Sequence, residues 1–571
     1  MIGSNARSFA LFDGDQMGLF GKLFTLIAAF GLLFLVHQPA QAAWYEASSD
    51  HFVVYADDKE KDIARFAENL ERFHSAMEAL TGRRVEKPSP SNRVVIFVVG
   101  SERQLRKVAG KGSRNLAGFY VPRAGASRAF VQTIRNKNGY PDFSTIVLMH
   151  EYVHHFLISS SRYEMPRWLS EGAAEFFAAA SFEKDGGVLI GRVARHRAAE
   201  LAYAQDVSVR ELLDHELYEE NRGRRYDAFY GRSWLLYHYL TFNPDRRGQL
   251  VDYARAVFSG SSSIAAGEEV FGDLDALQKE LDTYMRGRRF SMLTLPPQDL
   301  PIGKITIRRL PEGEAKMMPL RIRSQRGVTL EQAKELLPEV REVAAKYPDD
   351  PGVYAALAEA EFDAGNDDKA IAAANKAIAL DPNRANPYVQ KGYALFRKAD
   401  NTDGDARDAA YEAAMEPFTA LNQIENDHPM PLIYYYRSYV ERGEEPPENA
   451  KHALERAAQL APFDKSLWLN VAMMQLQEGK IELARQSLQP IAYDPHGGDF
   501  AEKTAALIKS LEDKPDGTPV NATLAGVQDA PSDVSPADDD SGQGAESLEP
   551  AGESEEGSAE EVANLEAAHQ H

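Results

Sequence analysis

Residues 146–157 read Ile-Val-Leu-Met-His-Glu-Tyr-Val-His-His-Phe-Leu, a mostly apolar stretch with the pattern His-Glu-x-x-His at its centre. Such a stretch suits a buried helix, in which residues four apart lie on one face. The imidazoles of His150 and His154 could then reach a single metal ion. Glu151 would lie beside that ion and could take a proton from a bound water, whose pKa zinc lowers toward about 7. The alternative is a chance match to this short pattern.

A second motif follows at residues 166–175, which read Pro-Arg-Trp-Leu-Ser-Glu-Gly-Ala-Ala-Glu. Its proline favours the first turn of a new helix. If this helix packs antiparallel to the first one, Glu171 reaches the metal as a third ligand. Glu175 lies one turn further on the same face and could accept a hydrogen bond from the second nitrogen of a metal-bound histidine. For Glu175 alone, a solvated carboxylate is the alternative.

The two motifs together resemble those of the gluzincin metallopeptidases, specifically the peptidase MA-like families. The resemblance implies Zn²⁺ bound by His150, His154 and Glu171, with Glu151 as the general base. A Gly-x-Met-Glu-Asn segment, which binds the free amine of the substrate in related aminopeptidases, does not occur in the chain. An endopeptidase is therefore expected.

The resemblance covers roughly residues 50–290 and implies an α+β zincin-like catalytic domain, made of a small N-terminal α/β sheet and a helical subdomain. The sequence agrees, since β-branched and aromatic runs at residues 52–55 and 94–99 flank a helical pattern at 63–80. In the family fold, an edge strand before the motif helix pairs with the substrate backbone. Residues 129–132 are the candidate for that strand.

The resemblance also implies a donor for the tetrahedral oxyanion, supplied by a downstream helix. Tyr230 is the first candidate, and Tyr226 and His238 come next. The alternative is that all three are aromatic core residues.

Three further basic residues lie in the motifs or in the segment around Tyr230. His155 is about 100° around the helix from His154 and is interpreted as lying behind the ligands or at the surface. Arg167 and Arg232 could bind a substrate carboxylate, with a solvated surface position as the alternative.

The C-terminal half repeats with a period of 34 residues, as the pairs Tyr354/Tyr388 and Pro348/Pro382 show. This spacing resembles that of the tetratricopeptide repeat (TPR) family over roughly residues 328–510. Helix pairs that cannot bury their apolar faces alone stack into an all-α solenoid, and such solenoids bind protein partners.

Composition and charge exclude several classes of protein. The chain has no cysteine, so disulfides and thiolate metal sites are excluded, and His, Asp and Glu must bind any metal. The formal net charge is −22, which makes a nucleic-acid partner unexpected. Residues 515–571 carry 14 Asp and Glu and no Lys or Arg, a composition typical of a disordered tail.

The N-terminus reads as an export signal. Residues 23–36 carry no charge, are too few to span a bilayer, and are followed by Ala-Gln-Ala at 40–42. Cleavage after Ala42 would release a periplasmic or secreted protein without a stable membrane anchor. An uncleaved anchor or a buried core helix is the alternative.

These observations predict an exported zinc metallopeptidase that hydrolyses peptide bonds in a peptide or protein substrate and recruits a protein partner through TPR repeats. One alternative is a catalytically inactive zincin-like scaffold that acts as a TPR adaptor. Another is a zinc hydrolase of a different bond, such as an epoxide or ester.

The predicted domains are a signal peptide (1–42), an α/β sheet subdomain (43–143), a helical zinc-binding subdomain (144–290), a connector with short strands at 305–307 and 320–322 (291–327), a TPR domain (328–512) and a disordered acidic tail (513–571).

Overall fold

The computed structural model describes residues 43–109, 117–134, 140–160, 165–222, 226–287, 289–404, 406–494 and 497–521. The chain divides into two units, Met1–Ala43 and Trp44–His571, and the described residues belong almost entirely to the second. The predicted signal peptide and its cleavage site lie outside the described residues. Within the described ranges, no helix combines the length and the apolar character that a bilayer span requires.

Two β-sheets occur in the described residues, a large one and a small one. Their strands are β1 (Tyr45–Ser48), β2 (Phe52–Ala56), β3 (Val94–Val98), β4 (Gly118–Val121), β5 (Arg128–Val131), β6 (Ser181–Phe182), β7 (Val188–Ile190), β8 (Leu293–Leu295) and β9 (Thr306–Arg309). The large sheet has the order β4-β5-β3-β2-β1-β9, and the small one has the order β6-β7-β8. Strands β2, β3 and β5 run parallel and are largely buried on both faces, which explains their continuous apolar sequences.

The edge of the large sheet differs from the sequence prediction. Residues 129–132 overlap β5, which pairs with β3 on one side and antiparallel with β4 on the other. The prediction that these residues form the edge strand was therefore wrong. Strand β4 is the edge, and no further described strand lies beside it. The reason is a chain reversal at residues 122–127, which folds β4 back along the outside of β5.

Eleven helices accompany these strands within the described part of the first half of the chain. They are α1 (Glu60–Thr81), α2 (Glu102–Ala109), α3 (Phe143–Ser160), α4 (Arg167–Ala178), α5 (Ala198–Tyr203), α6 (Val209–Leu213), α7 (His215–Asn221), α8 (Phe229–Phe242), α9 (Gln249–Phe258), α10 (Ser263–Phe271) and α11 (Leu274–Met285). Helix α1 packs through the predicted apolar positions Ile63, Phe66, Leu70 and Phe73, which are all buried. Helices α1, α3, α4 and α8 and the large sheet share one apolar core, so the core holds the two predicted metal-binding helices together.

A second group of helices fills the C-terminal half, and we call it the helical array. Its members are α12 (Glu312–Gln325), α13 (Leu330–Lys346), α14 (Pro351–Asp363), α15 (Asp367–Leu380), α16 (Ala385–Asp400), α17 (Ala406–Ile424), α18 (Pro429–Glu441), α19 (Glu448–Leu460), α20 (Lys465–Gln477), α21 (Ile481–Ala492) and α22 (Gly498–Ser510). Helices that follow one another pack together and bury several small apolar cores between them.

The start of the helical array corrects one sequence prediction. Residues 320–322 were expected in a strand, but they lie in α12, whereas residues 306–307 do lie in a strand, β9. Leu320 and Ile322 alternate like strand residues because α12 is covered on two sides. Leu320 packs in a core with α13, and Ile322 packs in a core with the large sheet. The array thus begins before residue 328.

The end of the helical array also differs from the prediction of a disordered tail from residue 513. Residues 513–521 are described and return to the array, where the Val520 N–H donates to the Leu476 carbonyl over 2.8 Å. The Gly517 N–H donates to the Gly479 carbonyl over the same distance, 2.8 Å. Residues 522–571 of the predicted tail lie outside the described residues.

Candidate metal centre

Helices α3 and α4 bring together the three residues that the sequence predicts as metal ligands. His150 and His154 lie one turn apart on α3, and Glu171 lies on α4. All three side chains are buried, and one ligand atom from each lies within 4.8 Å of the others. The spacing of both motifs therefore produces the convergence that the helical pattern predicted.

The distances between the three ligand atoms fit a tetrahedral metal ion. The Nε2 atoms of His150 and His154 are 3.2 Å apart, and the Glu171 Oε2 atom lies 3.4 Å from the former and 3.3 Å from the latter. Tetrahedral zinc about 2.0–2.1 Å from each ligand holds its ligand atoms about 3.3–3.4 Å apart. Two imidazoles and one carboxylate are also a donor set that binds zinc in proteins.

Electrostatics at the centre favour a positive charge among the ligands. Burial alone would lower the pKa of His150, but hydrogen bonds and charges of Glu171 and Glu175 overcome this effect and raise that pKa to about 10. A proton on His150 is one way to supply the positive charge. A divalent cation held by the unprotonated nitrogens is the other way.

Behind His150, the carboxylate of Glu175 is fully buried and has three cationic or N–H partners. One oxygen lies 3.1 Å from His150 Nδ1 and accepts a hydrogen bond of 2.6 Å from Arg197 Nη2. The other oxygen lies 2.5 Å from His196 Nε2. Burial alone would raise the pKa of Glu175, but Arg197 and His196 lower it well below its usual range. The predicted contact of Glu175 with a ligand histidine is thus present.

The sequence interpretation did not identify His196 and Arg197. The basic run Arg-His-Arg at residues 195–197 was the available signal, because a buried carboxylate such as Glu175 needs cationic partners. Arg197 also donates to Glu200 Oε2 over 3.1 Å, so it bridges two buried carboxylates.

Glu151, the predicted base, follows His150 on α3 and lies next to the edge strand β4. It lines a small pocket between the sheet and α3, together with Gly118 and Tyr120 of β4 and Val147 of α3. Burial raises the pKa of the Glu151 carboxyl group, and the charges of His150 and His154 act in the opposite direction. A carboxylate with a raised pKa beside the ligands is suited to accepting and releasing a proton.

Tyr230, the first candidate for the oxyanion donor, is brought toward the centre by helix α8. Its ring centroid lies 6.4 Å from that of His150, and the Arg197 guanidinium lies 4.6 Å from its centre. The glycine of the second motif, Gly172, permits this approach. A Cβ atom there would lie 2.6 Å from the Ser233 carbonyl oxygen of α8, so only glycine lets α4 and α8 pack this closely.

The two other candidates have different surroundings. Tyr226 is 58% exposed, and its hydroxyl donates to Glu200 Oε2 over 2.9 Å. His238 is buried, with Nε2 2.9 Å from the Gly191 carbonyl oxygen and Nδ1 2.8 Å from the Tyr284 hydroxyl. Tyr226 thus bonds Glu200 near the surface, and His238 is a core residue that holds loops together, as the alternative interpretation expected.

The two arginines also differ in their partners. Arg232 is paired with Asp206 over 2.6 Å and with Asp282 over 2.9 Å, so both sides of its guanidinium have structural carboxylates. Arg167 packs its guanidinium 4.5 Å from the Phe229 ring centre and hydrogen-bonds Tyr230. The structure therefore associates Arg167, and not Arg232, with the candidate centre.

The sequence interpretation placed His155 behind the ligands or at the surface. In the structure it is half-buried between the edge strand and the helical array, which are far apart in sequence. Its Nδ1 lies 2.7 Å from the Tyr120 hydroxyl of the edge strand. Its ring centroid lies 4.5 Å from that of Phe463 in the helical array. His155 is thus a contact point between the motif helix, the edge strand and the array.

Comparison with known families gives two matches. Residues 142–260 match a family described as a protein of unknown function (DUF1570), and residues 351–384 match the tetratricopeptide repeat. The first range contains the candidate metal ligands. The second confirms the TPR prediction, so the C-terminal half is a TPR-like helical solenoid that follows a small sheet region. The comparison with curated proteins finds no match.

Several solved structures are similar to part or most of this chain. The thermophilic TPR protein TTC0263 of Thermus thermophilus is 16% identical with a TM-score of 0.29, over 35% of this chain and 98% of its own. MamA of Desulfovibrio magneticus is 16% identical with a TM-score of 0.25, over 35% and 98%. Yeast Tom70 is 11% identical with a TM-score of 0.25, over 86% and 79%. Likenesses this low carry no argument about function.

Proposed function

We propose that this chain is a zinc-dependent metallopeptidase of the gluzincin type that hydrolyses internal peptide bonds. The observation that carries the proposal is the triangle of His150 Nε2, His154 Nε2 and Glu171 Oε2, with sides of 3.2–3.4 Å. Glu151 interacts electrostatically with all three residues of this triangle, and Glu175 supports it from behind. Three acceptor atoms at this spacing are best stabilised by a cation between them.

Each of these residues has a role in the proposed reaction. Zinc, when bound, supplies Lewis acidity toward a water molecule and the peptide carbonyl. Glu151 accepts the proton of the attacking water and returns it to the leaving amine. Tyr230 donates a hydrogen bond to the oxyanion, and Arg167 and Arg197 hold its ring in place. The N–H and C=O groups on the outer edge of strand β4 pair with an extended substrate.

A second candidate function is a TPR adaptor whose metal site is only structural. The TPR match at residues 351–384 favours this function, since TPR solenoids present surfaces for protein partners. The adaptor and the peptidase differ in one respect that can be measured, because only the peptidase needs Glu151.

The decisive experiment compares the wild type with Glu151→Gln, using metal analysis and cleavage of a peptide library. If the chain is a peptidase, the wild type and Glu151→Gln should each hold about one zinc per chain. Only the wild type should cleave peptides. Glu183→Gln, which changes an exposed glutamate of the β6–β7 turn, is the matched control and should cleave normally. Wild-type protein that holds zinc and cleaves no peptide would favour the adaptor. Equal cleavage by wild type and Glu151→Gln would contradict the base assignment.

We further propose that the protein acts beyond the inner membrane, in the periplasm or the medium, after cleavage behind Ala42. The support is the uncharged stretch at residues 23–36, followed by small residues at 40 and 42. N-terminal sequencing of the mature protein tests the proposal. A first residue before residue 23 would contradict it.

A further inference from the structure

One turn of the helical array reaches the motif helix. The turn between α19 and α20, residues 461–464, carries Phe463, which is 5% exposed. The Phe463 ring packs against His155, next to the ligand His154 in sequence, with centroids 4.5 Å apart. Ile158 of α3 packs against the same apolar cluster of the array. The C-terminal half of α3 is therefore seated on this turn.

The same turn also holds the hairpin that ends in the edge strand. Asp464 Oδ2 accepts a hydrogen bond of 3.0 Å from the Ala124 N–H, in the loop 122–127 between β4 and β5. Ala124 packs against two apolar clusters of the array. The following residue, Gly125, has φ +78°, and a Cβ there would lie 3.3 Å from His428 Cε1. The loop is therefore held closely against the array, at a position that favours glycine.

Further polar contacts anchor the same part of the sheet to the array. Glu425 accepts hydrogen bonds of 2.8 Å from both the backbone N–H and the hydroxyl of Ser91. Arg128, the first residue of β5, donates to the Gln325 carbonyl over 2.8 Å. The β4–β5 hairpin is thus supported on several sides by array residues, and the turn 461–464 is the part that also contacts α3.

A direct polar contact also links the edge strand β4 to the motif helix α3. The Tyr120 hydroxyl of β4 lies 2.7 Å from His155 Nδ1 of α3, and Tyr120 lines the small pocket that Glu151 also lines. An extended substrate paired with the outer edge of β4 would lie alongside α3, with its carbonyl directed at the metal centre. The distance between these two elements therefore sets whether a peptide that pairs with β4 places its carbonyl at the centre.

We propose that the turn 461–464 fixes the spacing between the edge strand and the motif helix, with Phe463 and Asp464 as positioning residues of the peptide-binding cleft. The inference rests on the proposed peptidase function and goes beyond it in assigning the array a role. The array is then an integral part of the substrate site for an extended peptide, and not only a module that recruits other proteins.

The test uses the full-length, zinc-loaded protein with Phe463→Ala and Asp464→Asn. We expect KM for extended peptides to rise about tenfold, which is the effect of losing about one favourable contact, with kcat changed less. Zinc content should remain about one per chain in both variants. Phe500→Ala is the matched control, because it removes a half-buried aromatic from α22, where it packs in a different cluster of the array. Its KM should match the wild type.

Amide hydrogen exchange supplies a readout that does not depend on activity. Residues 118–131 should exchange faster in Phe463→Ala and Asp464→Asn than in the wild type, and Phe500→Ala should leave them unchanged. Unchanged exchange and unchanged KM in both variants would overturn the positioning role. If the wild type cleaves no peptide, the proposed function fails by itself, and the exchange data still decide whether the turn holds the strand. If Phe463→Ala does not fold, the conservative Asp464→Asn variant decides.

Discussion

The Nδ1 atom of His150 lies 3.1 Å from a carboxylate oxygen of Glu175, on the side of the imidazole opposite the ligand atom Nε2. A proton on Nδ1 that is donated to Glu175 leaves Nε2 with its lone pair directed at the centre. Arg197 holds the same carboxylate oxygen over 2.6 Å. The orientation of His150, a candidate metal ligand, is therefore set by Glu175 behind it and by the buried Arg197 that holds Glu175.

The first prediction concerns Glu175→Gln. The amide keeps the size of the side chain but removes the charge that orients His150 and pairs with Arg197. We expect zinc affinity to fall by about 10–100-fold, and the free energy of unfolding to fall by about 3 kcal/mol because Arg197 loses a buried partner. Competition with a chelating dye measures the affinity, and chemical denaturation measures the stability.

The control for this prediction is again Glu183→Gln, at an exposed position in the β6–β7 turn. It should match the wild type in both measurements. Wild-type zinc affinity in Glu175→Gln would show that the carboxylate does not orient His150, even if the protein were less stable.

The second prediction separates the two tyrosines that sequence reasoning offered as oxyanion donors. Tyr230→Phe should lower kcat by about 10²–10³-fold, because it removes a hydrogen bond formed mainly in the transition state. Zinc content should not change, since Tyr230 is not a ligand. Steady-state kinetics on a cleaved peptide from the library measures the effect.

Tyr226→Phe is the matched control for Tyr230→Phe, since it also removes one phenolic hydroxyl. Tyr226 is 58% exposed and bonds Glu200, so its kcat should stay close to the wild type. A large loss of kcat in Tyr226→Phe together with normal activity in Tyr230→Phe would reverse the assignment of the donor.

The parts of the candidate site that could be predicted from sequence depend on local periodicity. His150 and His154 share a helix face because they are four residues apart, and the same spacing relates Glu171 to Glu175. The 34-residue period predicted the TPR fold in the same way, since each repeat is a local unit. In these cases the relevant neighbours lie within a few turns of one another.

The parts that could not be predicted depend on contacts between distant segments. Strand β5 looked like an edge strand because its sequence does not show that the chain reverses at residues 122–127 and adds β4 outside it. Phe463 gave no sign of its contact with His155, because it lies in a turn about 300 residues further along the chain. Such contacts depend on how segments that are distant in sequence pack after each has folded. A short stretch of sequence carries no information about that packing.

The last prediction concerns His428, the residue before α18 and the neighbour of Gly125 at the hairpin. It is 2% exposed, and its Nδ1 accepts a hydrogen bond of 3.2 Å from the Met430 N–H, so the imidazole is needed in its neutral form. Burial lowers the pKa of His428 to about 4, although Glu425 acts in the opposite direction. In an unfolded chain the pKa of histidine is about 6.5.

The sign of the pH dependence follows from these two values. Between about pH 6.5 and pH 4 the unfolded chain binds a proton at His428 and the folded chain does not, so stability falls as the pH falls through this window. His428→Asn keeps an oxygen that can accept the Met430 N–H but does not titrate. Between about pH 7.5 and pH 5, the wild type should therefore lose about 2 kcal/mol more free energy of unfolding than the variant. Denaturation curves at both pH values measure this difference. The other histidines titrate in both proteins and cancel, so equal losses would show that His428 is not held neutral by its burial.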